Sequence, residues 1–253
     1  MSFFTFDGKK VYYEEFGSGT PLLFLHGNTA SSKMFGEISK KYVHDFKVIL
    51  IDFLGHGYSD RLSEFPADLW FYEAQQIIAF LRYKCYKKAN LIGSSGGALV
   101  ALNVALEAPE LVAKVIADSF EGEKTDKRFT ENLLSDRKKA LNDEGAKGFY
   151  AFMHGDDWEN VVKNDTLAII KHGNEIGSFF HRSLTQVKSD VLLTGSKKDR
   201  FMYSISNNYY ETVYGKILEQ IPGSRMYLFE SGDHPAIITN SDLFYDISRE
   251  FLA

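Results

Sequence analysis

The chain has a single cysteine, Cys85, in 253 residues. An internal disulfide is excluded, and a lone thiol suits a reducing compartment. Placed late in a helical stretch, Cys85 is expected to be a small buried or half-buried side chain. Basic residues are not in excess: 29 Lys and Arg stand against 34 Asp and Glu, a net charge of −5, which argues against nucleic acid and anionic membranes as partners. No window approaches the roughly 18 apolar residues of a membrane span. The opening MSFFTFDGKK has no basic segment leading into a sustained apolar one, so no signal peptide is expected and the location predicted is cytoplasmic. The sequence also lacks internal repeats, low-complexity tracts, His-Glu-x-x-His or Cys-x-x-Cys metal patterns and a dinucleotide-binding glycine fingerprint. No metal and no cofactor are expected.

What is present is a chain of ordinary globular composition, 44% hydrophobic and 25% charged, long enough to bury a large core. Its pattern is one of strands alternating with helices. FFTF and KKVYYEE flank Asp7-Gly8, a strong hairpin signal. LLFLHG, KVILIDF, ANLIG and VAKVIAD are short continuous apolar runs, as expected of strands buried on both faces. Between them, residues 31–42, PADLWFYEAQQIIAFLRY and GALVALNVALEAP read as helices, the last closed by Pro109. The alternation predicts βαβ units and a mostly parallel sheet covered on both faces. It lapses over residues 120–186, where charged helical pieces such as FTENLLSDRKKALND and AKGFYAFMHG occur without a buried strand. It resumes with SDVLLTGS, a helix through SISNNYYETVYGKILEQIPG, the strand RMYLFE and a last helix ending LFYDISREFLA. Residues 120–186 thus read as a helical insertion after the sixth strand, between two parts of one core, 1–119 and 187–253. It is either a solvated decoration or a lid over a pocket.

The segment NLIGSSGGALVAL concentrates the chemistry. Gly-x-Ser-x-Gly is satisfied only by Gly93, Ser95 and Gly97, because the frame on Ser94 would need glycine where Ile92 stands. The match falls where a predicted strand meets a predicted helix. A serine on so tight a turn is forced into a rarely populated backbone conformation costing about 1–3 kcal/mol. Glycines two residues either side remove side chains that would collide as strand and helix close up. The hydroxyl is then held above the sheet edge, with the next amide at a helix N-terminus. Ser94 is expected only to fill space behind the turn.

With these residues the chain resembles the α/β-hydrolase superfamily over essentially its whole length. The resemblance implies an eight-stranded, mostly parallel sheet with helices on both faces and a helical cap after the sixth strand. Four further stretches match in order. LFLHGNTASS is similar to the family's His-Gly loop, which implies an oxyanion hole formed by the backbone N–H groups of Asn28 and Gly96, with His26 a loop-organising residue. DFLGHGYSD is similar to the stretch in which Asp52, Gly55, Gly57 and Ser59 shape the loop flanking the pocket, with His56 a packing residue. LLTGSKKDRF places Asp199 where the family carries its catalytic acid. Asp118 is the rival, since some members carry theirs one strand earlier. LFESGDHPAI places His234 after the last strand as the base, while the adjacent Asp233 is badly aimed at its ring.

The reaction implied is acyl transfer through Ser95, His234 and Asp199, with histidine needed because its ordinary pKa of about 6.5 lets it take and return a proton near neutrality. Haloalkane dehalogenases and epoxide hydrolases share the His-Gly-Asn loop but carry aspartate at the elbow, so Ser95 disfavours both. A carboxylesterase acting on a small, apolar-sided acyl substrate is the first expectation. Carbon–carbon hydrolases, lactonases, thioesterases and perhydrolases share the residues, as do ligand receptors that retain a triad. Phe149, Tyr150, Phe152, Trp158, Phe179 and Phe180 are the candidate pocket walls, the alternative for each being to pack the insertion onto the core. The sequence leaves the oligomeric state open.

Overall fold

A computed structural model describes residues 2–253. Strands β1 (Ser2–Phe6) and β2 (Lys9–Phe16) form the expected hairpin, with Asp7 and Gly8 both at positive φ in a two-residue turn that follows the strands' twist. Strands β3 (Thr20–Leu25), β4 (Phe46–Ile51), β5 (Ala89–Ser94), β6 (Val112–Asp118), β7 (Asp190–Ser196) and β8 (Arg225–Phe229) follow. All eight lie in one sheet, in the order β1-β2-β4-β3-β5-β6-β7-β8. Only the two strands of the hairpin run antiparallel to their neighbours.

Alternation along each inner strand divides the core in two. Leu23, Leu25, Ile49, Ile51, Leu91, Val115, Ala117, Val191 and Leu193 face the layer that contains α1 (Leu69–Tyr83) and α2 (Gly96–Glu107). Leu22, Phe24, Val48, Leu50, Ile92, Ile116 and Leu192 face the opposite layer. The predicted helix over 31–42 is instead two short 3₁₀ turns, Ser32–Phe35 and Ile38–Tyr42, separated by Gly36 and Glu37. Phe35, Ile38 and Tyr42 are nonetheless buried, so this segment covers the sheet without a continuous helix. Cys85 corrects another expectation. It lies past the end of α1 at positive φ, where its side chain is exposed.

Residues 120–186 carry three helices: α3 (Lys127–Ala140), α4 (Glu144–His154) and α5 (Trp158–Glu175). In α3 only Leu133 is buried, whereas α5 buries Val161, Val162, Asp165, Thr166, Ala168, Ile169 and His172 along one face. The short α6 (Arg200–Tyr203) precedes α7 (Tyr209–Gln220), and α8 (Ala236–Thr239) precedes α9 (Ser241–Leu252). Among the described residues, no helix is long and apolar enough to cross a membrane.

Phe24 on β3 is fully buried, and its ring meets those of Phe35 and Tyr42 at centroid distances of 5.3 Å each. Phe24→Ala is expected to cost about 3–5 kcal/mol. The check is the urea denaturation midpoint, which should fall with an unchanged slope.

Candidate active site

Successive crossovers bring the carboxyl ends of the strands to one edge of the sheet, where ligands bind in open α/β sheets. Ser95 follows the central β5. The loop His26–Thr29 follows β3 on one side, and residues 119–121 follow β6 on the other. Asp199 follows β7 and His234 follows β8.

Ser95 has φ 55° and ψ −122°, the strained conformation expected of the turn. Contacts explain the two glycines. A Cβ on Gly93 would lie 2.1 Å from the Gly97 carbonyl oxygen, and one on Gly97 would lie 2.0 Å from the Leu25 carbonyl oxygen. Only glycine allows strand, helix and neighbouring strand to approach this closely. Gly96 is equally confined, since its Cβ would lie 2.2 Å from Asn28 Oδ1. As the first residue of α2, Gly96 presents an N–H outside the helix's own hydrogen bonding.

Ser95, His234 and Asp199 are joined in one line. His234 Nε2 lies 3.1 Å from Ser95 Oγ, and His234 Nδ1 lies 2.7 Å from Asp199 Oδ2. With a carboxylate at Nδ1, that nitrogen carries the proton and Nε2 accepts from the serine. Asp199 is itself anchored: Tyr210 donates to Oδ2 at 2.7 Å and the Phe201 amide to Oδ1 at 3.0 Å. Burial pushes its carboxyl up, but His234 and these donors outweigh that and hold it below the usual range. Burial likewise pushes the His234 imidazole down, and the negative charges of Asp199, Asp118 and Asp233 outweigh it, leaving a net upward displacement.

Asp118 has different partners. Oδ1 accepts from Thr194 and Ser119, while Oδ2 accepts from the Ile237 amide and from Ser94 Oγ at 3.3 Å. It braces the turn before α8 from behind, and burial raises it to about 6 despite those donors. Ser94 therefore hydrogen-bonds as well as filling space. Asp233 makes no hydrogen bond to the His234 ring; it accepts from the His234 amide and pairs with Arg200 at 2.6 Å.

The other two conspicuous histidines organise loops. His26 accepts from the Phe53 amide at Nε2 and donates from Nδ1 to the Gly27 carbonyl, and burial pushes it down to about 3. His56 Nε2 lies 2.9 Å from Asp165 Oδ2. Asp52 accepts from the Ser32 and Tyr58 amides, Ser59 Oγ donates to the Asp52 carbonyl, and the positive φ of Gly55 and Gly57 turns the chain between them.

Asp165, on α5, carries no sequence signal. It is fully buried and accepts from the Thr29 amide at 2.9 Å, from Asn28 Nδ2 and from His56. Burial pushes this carboxyl up, yet His56, the charge of Arg137 and the Thr29 amide together hold it low. Asn28 also accepts from Trp70 Nε1 at 3.1 Å, so the loop beside Ser95 is tied to both α1 and α5.

A cavity of about 320 Å³ opens over Ser95, Gly96, Asn28 and His234. Of the predicted aromatic walls, only Phe149 and Tyr150 line it. Phe152 is exposed, Trp158 stacks on Tyr150, and Phe179 and Phe180 are buried, Phe179 against Trp70 and His172. The walls missed from the sequence include Phe120 after β6, Phe129 and Leu133 on α3, Phe201 and Met202 on α6, and Trp70 on α1. Among the described residues no His, Cys, Asp and Glu cluster could hold a metal ion.

A family model described as the alpha/beta hydrolase fold matches residues 20–152. The chain belongs to the alpha/beta hydrolase family. Human serine hydrolase BPHL is 24% identical over 97% of this chain and 84% of its own length. Pimeloyl-[acyl-carrier protein] methyl ester esterase of Aliivibrio salmonicida is 23% identical over 96% of this chain and 95% of its own. The solved esterase EaEST from Exiguobacterium antarcticum superposes with a TM-score of 0.76 at 21% identity, covering 97% of this chain and 96% of that one. The chain is a hydrolase of this fold.

The direction of the His234 displacement can be measured. Proton NMR titration should place its midpoint above the ordinary 6.5, and Asp199→Asn should lower it. By linkage, stability from this raised group is fully present below about pH 6.5 and fades as pH rises through the folded-state value. Asp199→Asn should flatten that pH dependence, as read from denaturation midpoints on either side.

Proposed function

We propose that this hydrolase works by acyl transfer, with Ser95 as nucleophile, His234 as base and then acid, and Asp199 as the carboxylate that orients the ring. The observation that carries the reading is the unbroken hydrogen-bonded line Asp199–His234–Ser95 at the mouth of a mostly apolar cavity. His234 Nε2 takes the Ser95 proton as Oγ attacks the carbonyl carbon. Negative charge on the former carbonyl oxygen is received by the N–H groups of Asn28 and Gly96. A single such donor is worth ~3–4 kcal/mol in a transition state. The imidazolium, stabilised by Asp199, protonates the leaving group, and water activated by the same ring then releases the acyl group from Ser95.

Our reading of the substrate is a small ester with an apolar side, which makes the protein a carboxylesterase. Phe129, Leu133, Phe149, Phe201 and Met202 suit such a group. Residues 120–186 act as the cap of this site, over a core formed by 1–119 and 187–253. Two observations support this: α3 and α4 contribute cavity wall, and α5 reaches the Asn28 loop through Asp165. A cytoplasmic setting fits an exposed, unpaired Cys85.

Short-chain p-nitrophenyl esters test the assignment. Ser95→Ala should abolish turnover and labelling by a fluorophosphonate probe, and Asp199→Asn should lower turnover by up to ~10⁴-fold with the fold intact. Asp118→Asn should cost far less; the reverse ranking would transfer the acid's role to Asp118. Stoichiometric acylation of Ser95 with negligible turnover would indicate a ligand receptor instead of an enzyme.

A further inference from the structure

Three carboxylic or guanidinium side chains line the cavity: Glu121, Asp136 and Arg137. Asp136 lies 3.1 Å from Lys139, so its charge is met on the outside of α3. Glu121 is buried with Oε2 unpartnered, and burial, reinforced by the negative charge of Asp126, pushes its carboxyl up to about 8. It is thus largely uncharged at neutral pH. Arg137 alone among the described lining residues carries a permanent positive charge.

Its guanidinium is held but not satisfied. Nη1 donates to the Tyr150 hydroxyl at 2.7 Å, fixing the plane of the group. Nε is buried without an acceptor. Arg128 and Arg182, the other arginines of residues 120–186, are paired with Asp126 and Glu107, whereas Arg137 is in no ion pair among the described residues. Asp165 is near enough for Arg137 to lower it, but its oxygens are already engaged by Thr29, Asn28 and His56. With Nη1 pinned, the Nε–Nη2 edge remains, two parallel N–H donors whose spacing matches the two oxygens of a carboxylate. A buried donor without a partner is unfavourable, so an acceptor arriving with a ligand would complete this edge.

We propose that Arg137 determines specificity in this cavity by receiving, on its Nε–Nη2 edge, a carboxylate carried by the substrate. The preferred ester is then the monoester of a dicarboxylic acid, or a similar acyl compound whose far end is anionic. The apolar wall takes the intervening methylene groups, and the Tyr150 hydroxyl holds the guanidinium in place. The identity of the bond cleaved rests on the reading of Ser95 as nucleophile; the binding of the anion does not.

The test separates the two. Calorimetry on the Ser95→Ala protein compares monomethyl succinate, glutarate and adipate with the corresponding dimethyl esters. At least one monoester should bind about tenfold or more tightly than its diester, Arg137→Gln should erase that preference, and Arg137→Lys should restore only part of it. Tyr150→Phe should weaken the preference less than Arg137→Gln does. In the active protein, the kcat/KM ratio of p-nitrophenyl hydrogen glutarate to p-nitrophenyl valerate should fall about tenfold or more with Arg137→Gln. No monoester preference, or one that Arg137→Gln and Arg137→Lys both leave intact, overturns the role of Arg137. If esters are not hydrolysed but the binding preference and its loss are both seen, the nucleophile reading fails and the anion site stands.

Discussion

The crowded junction of β5 with α2 governs the rest of the structure. Gly93 meets the carbonyl of Gly97, and Gly97 meets that of Leu25, so strand, helix and neighbouring strand touch through bare backbone. Ser95 can adopt its left-handed conformation because its surroundings leave little room for any other. The same closeness sets Gly96 against Asn28 and brings the loop after β3 beside the serine. A hydroxyl, the first residue of α2 and an imidazole on another loop are thereby gathered at one sheet edge.

Around that junction, carboxyl groups are sorted by their surroundings. Asp199 faces an imidazole, a phenol and an amide, and stays ionised despite burial. Asp118, one strand away and equally buried, has amide and hydroxyl donors only, and is raised. Asp165 is held low by His56, Arg137 and the Thr29 amide, whereas Glu121, whose carboxylate has no donor at all, is raised further than Asp118. The number and charge of nearby donors separate four acids that burial alone would treat alike.

The strands, their parallel order and the elbow were legible because each depends on local pattern: apolar runs of strand length, and glycines two residues either side of a serine. Asp199 and His234 were legible through chain order at strand ends. Chain order favoured Asp199 over Asp118, and the tertiary contacts separate the two physically: Asp199 meets the His234 ring, and Asp118 meets hydroxyl and amide donors. Helix α5 escaped notice because Asp165, Thr166 and His172 occupy its inward face and break the apolar periodicity. The segment 31–42 looked helical from its apolar spacing, but Gly36 and the packing of Phe35 and Tyr42 favour two tighter turns. Phe179 and Phe180, which follow α5, took the alternative of packing onto the core, because the presence of an aromatic residue does not say whether its ring faces a cavity or the interior.

The Asp165 carboxylate has a mechanical consequence. Swinging α5 outward would strand a desolvated anion and, in the same movement, release Thr29 and Asn28 from their acceptor. Helix α3, by contrast, buries a single leucine, so the two helices are held against the core by very different means.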